Sequence, residues 1–415
     1  MQKKKILMLS DHALSTSGVG VQSRHLVNGL LQKGEWTVRQ FGAAIKHNNY
    51  DVIQVSPDFI IKPIDGFGNV DLIRQTLAVE KPDVLLIFTD PRFFVWLWEI
   101  EDEIHQICPI AYWHVWDNKP YPEFNSAYYE ATDLINCHSY HTYEQVKEHF
   151  PDKTNFIPHS LPTDVFRRLP AHEIERAKLN ALGPERLDHF VAFWMNRNAR
   201  RKRPGDLLMG WKQFIDENTV DGVKPKATLL LHTDPRDSEG PDLFAVCDNL
   251  GISDSVVFSN ERLGFDKINI LHNISDCCIN VSYAEGFGLA TLEAMQTGTP
   301  IIALKTGGLT RQVVDHRDGS ENGVALDVDL TSLVGSQTVP YIYEDYCTWN
   351  SISSAITKMY LLSPQEREEL SKKVEAYALE EFAYQDTVDR WHETLSDLVE
   401  NWKERYERVV CEEVI

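Results

Sequence analysis

Residues 282–309 read SYAEGFGLATLEAMQTGTPIIALKTGGL and follow the apolar run DCCINV at 276–281. That run predicts a short buried strand, GLATLEAMQTG predicts a helix stopped by Gly298, and PIIALKT predicts the next strand. Strand, helix and strand in such close order form a parallel unit, because a crossover is what brings the second strand back beside the first. Gly286 and Gly288 fall at the helix entrance, where free N–H groups and the positive dipole end favour an anion. Glycine there lets backbone approach a phosphate closely. Glu285 and Glu293 stand eight residues apart around that entrance. A carboxylate repels phosphate, so both acids need other partners, and a cis-diol offers two donors to one carboxylate. On this reading Glu293 takes a ribose diol and Glu285 takes hydroxyls of a sugar beyond the phosphates. A capping acid and a solvated helix face fit the same spacing, and spacing alone leaves the two readings open.

The alternation extends along the whole chain. In the first half KILMLS, TVRQFG, DVLLIFT, PIAYWHVW, DLINCHS and NFIPHS are predicted strands. Between the first two, VQSRHLVNGLLQKG puts Leu26, Val27, Leu30 and Leu31 on one helical face, with Gly34 as its stop. From about residue 189 the pattern restarts with HFVAFWMN, ATLLLHT, SVVFSN, DCCINVS, PIIALKT and GVALD. Continuous apolar strands between helices give an α/β fold with parallel sheets covered on both faces. Two such series predict two doubly wound, Rossmann-like domains. The first spans 1–165 and is joined by a C-terminal helix at 386–415; the second spans 166–385. The polar stretch 167–188 links them. Ligands of such sheets lie beyond the strands' carboxyl ends, so two facing sheets predict a site in a cleft. The stretch 335–350, GSQTVPYIYEDYCTWN, reads as a loop carrying aromatics, and 91–107, PRFFVWLWEIEDEIHQI, as one aromatic-rich helix packed in the core. The polar face of that helix is acidic, the wrong sign for anionic lipid.

A chain of 415 residues is long enough for two cores, and 43% apolar with 25% charged content is that of a globular protein. The net charge of −21 argues against general affinity for polyanions, so nucleic acid is disfavoured as a partner. The start, MQKKKILMLSDH, has too short an apolar stretch for a signal peptide or a span. Seven cysteines without a CxxC pair, two of them adjacent at 277 and 278, suit a reducing cytoplasm.

Against that acidic background, FWMNRNARRKRPGDLL concentrates five basic residues between Arg197 and Arg203 at a strand's carboxyl end. Arg197 and Lys202 are the residues expected to hold a diphosphate and to stabilise its departure without a metal; a solvated basic loop is the plainer alternative. In SDHALSTSGVGVQSRHL, Gly18 and Gly20 meet half of the dinucleotide pattern, but position 23 is Ser and no acid ends TVRQFG, which weakens a NAD reading. The glycines fit a loop reaching toward phosphate, or a tight strand-to-helix turn.

Together these stretches resemble the retaining glycosyltransferases of family four, which have the GT-B fold. The segment 282–309 is similar to that family's E-x7-E element with its Gly-Thr-Pro and Gly-Gly turns. NRNARRKRP resembles its G-R-L-x-x-x-K-G element, with Arg197 and Lys202 at the expected offset. NFIPHSLPTDVFRRLP and EFAYQDTVDRWHETL resemble the segment that opens the nucleotide domain and the closing helix. The resemblance implies that Glu285 contacts the donor sugar, Glu293 the ribose, and amides around Gly286, Phe287, Gly288 and Leu289 the diphosphate, with Gly307, Gly308 and Leu309 flanking the site. Departures are NRN for G-R-L and Val19-Gly20 for the family's paired glycines.

On the acceptor side, His114 and Asp117 follow the strand PIAYWHVW; the resemblance makes His114 a candidate beside the donor sugar, whereas a histidine satisfied in an aromatic cluster is the plainer alternative. His12 and His138 are weaker candidates of the same kind. SNERLGF (259–265), with Leu263, is the expected base pocket. The expected activity is transfer of a sugar from a nucleotide diphosphate sugar, UDP-sugar favoured over GDP- or ADP-sugar, to an acceptor hydroxyl with retention. No cofactor or metal is expected, since the one Asp-x-Asp, at 327–329, reads as loop. The acceptor, a glycan, lipid-linked sugar, protein or small molecule, stays open, as does peripheral membrane association. A non-catalytic nucleotide-sugar binder, a GT-B sugar phosphorylase and a glycoside hydrolase are the competing readings.

Overall fold

The computed structural model describes residues 3–44 and 49–405; Cys411 and residues 406–415 of the expected C-terminal helix lie outside them. The chain divides into two compact units. One takes in the chain to Trp116, Tyr121–Pro158 and the segment from Gln385 onward, and the other takes in Asp117–Pro120 and His159–Tyr384.

The first unit is built on β1 (Lys4–Asp11), β2 (Trp36–Ala43), β3 (Ile53–Ser56), β4 (Phe59–Pro63), β5 (Val84–Phe88), β6 (Ile110–His114), β7 (Leu134–Cys137) and β8 (Thr154–Phe156). They lie in the order β3-β4-β2-β1-β5-β6-β7-β8. Neighbours are parallel except at the edge, where β3 runs antiparallel to β4. Along β1, Ile6 and Met8 enter one core while Leu7 and Leu9 enter the other, as the two-residue period of a strand covered on both faces requires. The final helix, Tyr384–Arg405, closes the first of these cores with Trp391, Leu395, Leu398 and Trp402. Trp391 packs 4.9 Å from the ring of Trp113, and the Trp36 indole N–H donates to His392 Nδ1 at 2.9 Å.

The stretch 91–107 departs from the expected single helix. It folds as a 3-10 turn, Pro91–Phe94, followed by short helices at Val95–Trp98 and Glu101–His105. Asp90 caps the turn through the Arg92 amide, and the Trp98 indole N–H donates to the Pro91 carbonyl at 2.9 Å. These local bonds hold a run of aromatic and β-branched residues whose own helix preference is weak. Phe94, Leu97 and Ile104 are buried in the core, as expected.

The second unit carries β9 (Phe190–Met195), β10 (Ala227–His232), β11 (Val256–Ser259), β12 (Cys277–Asn280), β13 (Ile301–Leu304) and β14 (Gly323–Leu326), all parallel, in the order β11-β10-β9-β12-β13-β14. Every strand expected from residue 189 onward is present. The stretch 167–188 is more than a link, because it contains the helix Ala171–Leu182, which lays Ile174 and Ala177 on the core. The stretch 335–350 is likewise more ordered than a loop. It supplies β16 (Ile342–Tyr346), which pairs antiparallel with β15 (Leu330–Val334), and the start of the helix Trp349–Tyr360. Asp329 of the Asp-x-Asp accepts from the Thr348 amide at 2.8 Å and Ser351 Oγ at 2.9 Å beside that helix start, while Asp327 pairs with Lys305.

Trp391→Ala removes the fully buried tryptophan by which the last helix enters the first unit's core. We expect a loss of about 3–5 kcal/mol in urea unfolding followed by tryptophan fluorescence; an unchanged midpoint would deny that helix its place in the core.

Candidate functional site

The strand order of the second unit reverses between β9 and β12, which pair directly through Cys277 with Ala192 and Cys278 with Phe193. The loops that leave their carboxyl ends therefore run side by side. The Tyr283 amide donates to the Arg201 carbonyl at 3.1 Å, and the Asp345 amide of β16 donates to the Tyr283 carbonyl at 2.9 Å. The basic loop coils into a 3-10 turn at Arg200–Lys202 and leaves it through Arg203 in the left-handed region, φ 53°. A 3-10 turn spreads successive side chains by about 120°. It sends Arg200, Arg201 and Lys202 to different partners.

Lys202 is buried and its ammonium pairs with Glu285 Oε2. Arg201 Nη1 lies 3.6 Å from the same oxygen, 3.5 Å from Asp117 Oδ2, and donates to the Ala284 carbonyl at 3.0 Å. Asn280 Nδ2 at 3.5 Å and Ser282 Oγ at 3.4 Å complete the donors around Glu285. The Glu285 side chain is only 12% exposed. Burial alone would raise its pKa, but Lys202 and then Arg201 outweigh that effect and hold the carboxyl at about 2. Glu285 is thus a fixed carboxylate, with oxygens that accept and never donate.

After Glu285 the backbone is packed against the turn at Gly307 and Gly308. The Gly308 amide donates to the Glu285 carbonyl at 3.0 Å. A Cβ at Gly307, φ 50°, would fall 2.1 Å from that carbonyl, and one at Gly308 would fall 2.4 Å from the Gly286 carbonyl, so neither position has room for a side chain. Gly288, φ 93°, starts the helix Leu289–Gln296, whose first turn has no side-chain cap among the described residues. Gln312 Nε2 instead bonds the carbonyls of Phe287 and Gly288 at 2.7 and 3.1 Å, turning the amides the other way. The Phe287 side chain enters the core against Phe382, while Leu289 and Ala290 are half-buried. An uncapped helix start of this kind offers backbone donors and a positive dipole end, the features that an anion would use.

Glu293 lies one turn further in, its side chain 10% exposed, with His272 Nε2 at 3.3 Å from Oε2. It is not a solvated helix face. Leu263 lines a cavity of about 640 Å³ between the helices Ala171–Leu182 and Phe265–Asn273, together with Glu261, Lys267 and Ile270.

Arg197 is placed apart from Glu285. Its side chain is 57% exposed and holds Asp237 at 2.7 Å and Glu239 at 3.3 Å. Arg200 reaches Glu344 of β16 at 3.4 Å, and Arg203 reaches Asp206 at 2.7 Å with its guanidinium 4.3 Å from the Tyr346 ring centroid. The cation that shares Glu285 with Lys202 is Arg201, which the offset of Arg197 and Lys202 did not single out. Asp117, expected on the acceptor side, groups with the second unit, where it pairs with Arg201.

Gly18, Gly20 and His114 belong to the first unit. Gly18 and Gly20 form the first turn of the helix Gly18–Gln32, capped by Ser17, and a Cβ on Gly20 would fall 2.5 Å from the His12 carbonyl. The tight strand-to-helix turn is what the structure shows there. His114 exposes no surface: it sits among Tyr112 and Tyr129, with the Tyr129 hydroxyl 3.1 Å from Nε2. Burial, and then His138, hold its pKa well below the ordinary histidine value, so it is a neutral core histidine. The aromatic cluster of the plainer alternative is thus present around the ring. His138 is buried and its Nδ1 bonds the His114 carbonyl at 2.6 Å. His12 is buried and its Nδ1 accepts from the Leu14 amide at 3.1 Å.

Because the folded Glu285 pKa lies below the ordinary 4.5, the group adds stability above pH 4.5 that is lost as pH falls toward 2. We expect the stability difference between wild type and Glu285→Gln to shrink over that window in acid denaturation monitored by circular dichroism. A difference independent of pH would show that the carboxylate is not held by its cations.

Residues 239–329 match the family model described as glycosyl transferases group 1. Among curated proteins, a D-inositol 3-phosphate glycosyltransferase of Acidothermus cellulolyticus is 29% identical over 180 residues, 43% of this chain and 38% of that protein. One of Stackebrandtia nassauensis is 41% identical over 173 residues, 41% of this chain and 37% of that protein. The matches thus span under two fifths of these relatives' length. Among solved structures, sucrose-phosphate synthase of Thermosynechococcus elongatus superposes with a TM-score of 0.72 at 18% identity, over 95% of this chain and 99% of that one. HepE of Anabaena, in complex with UDP and glucose, superposes with a TM-score of 0.68 at 17% identity, over 95% of this chain and 100% of that one. The two parallel-sheet units and these neighbours give the fold as GT-B. The family model and the curated relatives carry the glycosyltransferase name over part of the second unit, in line with the family-four resemblance, and the solved neighbours carry the fold.

Proposed function

We propose that this protein is a group 1 glycosyltransferase that moves a sugar from a nucleotide diphosphate sugar to an acceptor hydroxyl with retention of configuration and without a metal, in the cytoplasm. The observation that carries the reading is the Glu285 carboxylate, held ionised by Lys202 and Arg201 directly before a glycine-lined, uncapped helix start. Glu285 accepts hydrogen bonds from the donor sugar, the amides of Gly286–Leu289 hold the diphosphate, and Glu293 takes the ribose. An ammonium carries three donors and the bond to Glu285 uses one, so Lys202 can also meet charge growing on the leaving phosphate. The acceptor attacks from the face the diphosphate leaves, and a phosphate oxygen takes its proton. The UDP and glucose in the HepE structure support UDP-glucose as the first donor to test. D-Inositol 3-phosphate, which the curated relatives carry in their name, belongs in the acceptor panel beside glycans and lipid-linked sugars.

With a panel of UDP-, GDP- and ADP-sugars, turnover should survive EDTA. Complete loss restored by Mn²⁺ would overturn the metal-free reading, and hydrolysis without an acceptor or transfer to orthophosphate would favour a hydrolase or a phosphorylase.

Glu285→Ala and Lys202→Ala should each lower turnover at least about tenfold, the scale of one lost charge-assisted contact. Arg201→Ala should cost more than Arg197→Ala. Unchanged turnover in the Glu285 and Lys202 variants, with unfolding temperatures showing both folded, would sink the site.

A further inference from the structure

Glu293 is a nearly buried carboxylate with little to hold it. Among the described residues its one side-chain hydrogen-bond partner is His272 Nε2, at 3.3 Å. His272 is fully buried on the helix Phe265–Asn273. Its ring meets Phe193 edge-on at 5.1 Å and Phe166 at 6.1 Å, and the Thr299 hydroxyl ties its backbone carbonyl at 2.9 Å. Its Nδ1 is buried without a hydrogen-bond partner among the described residues. For a bond to a carboxylate oxygen, which only accepts, the nitrogen that faces it, Nε2, is the one that carries a proton. A ring fixed by two aromatic edges and an anchored backbone therefore presents one N–H in one direction. A residue needed only to fill this aromatic pocket would need no nitrogen at all.

We propose that His272 is a positioning residue for nucleotide recognition: by donating to Oε2 it fixes the Glu293 carboxylate so that the remaining acceptor positions meet the cis-diol of a ribose. The inference rests on the reading that Glu293 takes the ribose, and it adds the device that sets ribose against deoxyribose. A carboxylate accepts at about four positions, and the histidine occupies one. Without the bond the carboxylate is free to turn about its last torsion, which has a broad profile. The loss then falls on the diol and not on the base or the diphosphate.

The test is calorimetric titration of the full chain with UDP, GDP and ADP, each beside its 2′-deoxy counterpart. Wild type should bind one of the ribonucleotides about tenfold tighter than its deoxy form, the scale of one lost charge-assisted bond. His272→Phe keeps the ring in its pocket and removes the donor; it should bring that ratio below about threefold with the deoxynucleotide affinity little changed. His272→Gln, which restores an N–H of similar reach, should recover part of the preference. A folded His272→Phe that keeps the full ratio overturns the inference. If that variant does not fold, His272→Asn, polar but too short to reach, takes its place under the same criterion. Glu293→Gln with the ratio intact would instead overturn the ribose assignment of Glu293, and a wild type that binds none of the nucleotides would overturn the proposed function.

Discussion

A carboxylate drawn almost out of water has to be matched by charge, and much of the second unit's organisation follows from how Glu285 is matched. Desolvation of an unpaired carboxylate would cost several kcal/mol and would drive it toward protonation. Lys202 and Arg201 reverse that tendency, and the carboxyl stays ionised down to about pH 2. Both cations come from one turn of a loop that is 83 residues away in sequence from Glu285. They reach it because β9 and β12 are neighbours at the point where the sheet reverses its order. Loops from such neighbours emerge in the same direction with nothing between them, which is why α/β folds place ligands there. The ion pair is therefore a consequence of topology before it is a feature of chemistry.

The same constraint explains the hairpin. Arg201, Tyr283 and Asp345 are joined in a row by backbone bonds, carbonyl to amide, and Tyr343 continues the row to Lys119. Glu344 of β16 is buried against Arg200 and the Tyr346 hydroxyl. Arg203 lies over the Tyr346 ring. The hairpin thus fixes the outer side of the turn whose inner side carries Lys202. A basic loop left to itself would repel itself and spread; here every cation meets an acid, and Lys202 and Arg201 share Glu285.

What was legible in the sequence follows from what kind of environment each stretch occupies. Interior parallel strands such as FVAFWM and ATLLLH are apolar on both faces and stand out from their helices. The edge pair β3 and β4 does not, because IQVSPDFIIKP mixes exposed and buried positions around a turn. In β16, IYEDY, an acid is buried by partners from distant loops, which no local pattern records. Among the site residues, Glu285 and Lys202 were legible because the strand-glycine-helix motif and the offset basic residue place them. Arg201 was not, because it is one of five cations within seven residues and only the 3-10 turn decides which of them faces inward. His114 kept two readings at the level of sequence for a related reason. A histidine at the end of a strand is exposed or buried according to the aromatics of neighbouring segments, and Tyr129 comes from a helix further along the chain.

The pairing of charges also decides where an anion can be held in so acidic a chain. Arg197, Arg200 and Arg203 each answer an acid outside the Glu285 group, and Arg201 divides itself between Glu285 and Asp117. Two cations and two carboxylates leave the group near neutrality, so a surplus of positive side chains is not what would draw a diphosphate to it. Backbone N–H groups also stand at the positive end of the helix Leu289–Gln296, which has no side-chain cap among the described residues. Backbone donors do not titrate, cannot turn away, and stand where Gly307 and Gly308 let the two turns meet closely. The cations then act at short range: they keep Glu285 an acceptor and lie beside any charge that grows at the helix start. On the proposed function, holding the phosphate and holding the sugar-side carboxylate would be separate tasks, done by backbone and by side chains respectively, with the glycines after Glu285 giving the backbone its close approach.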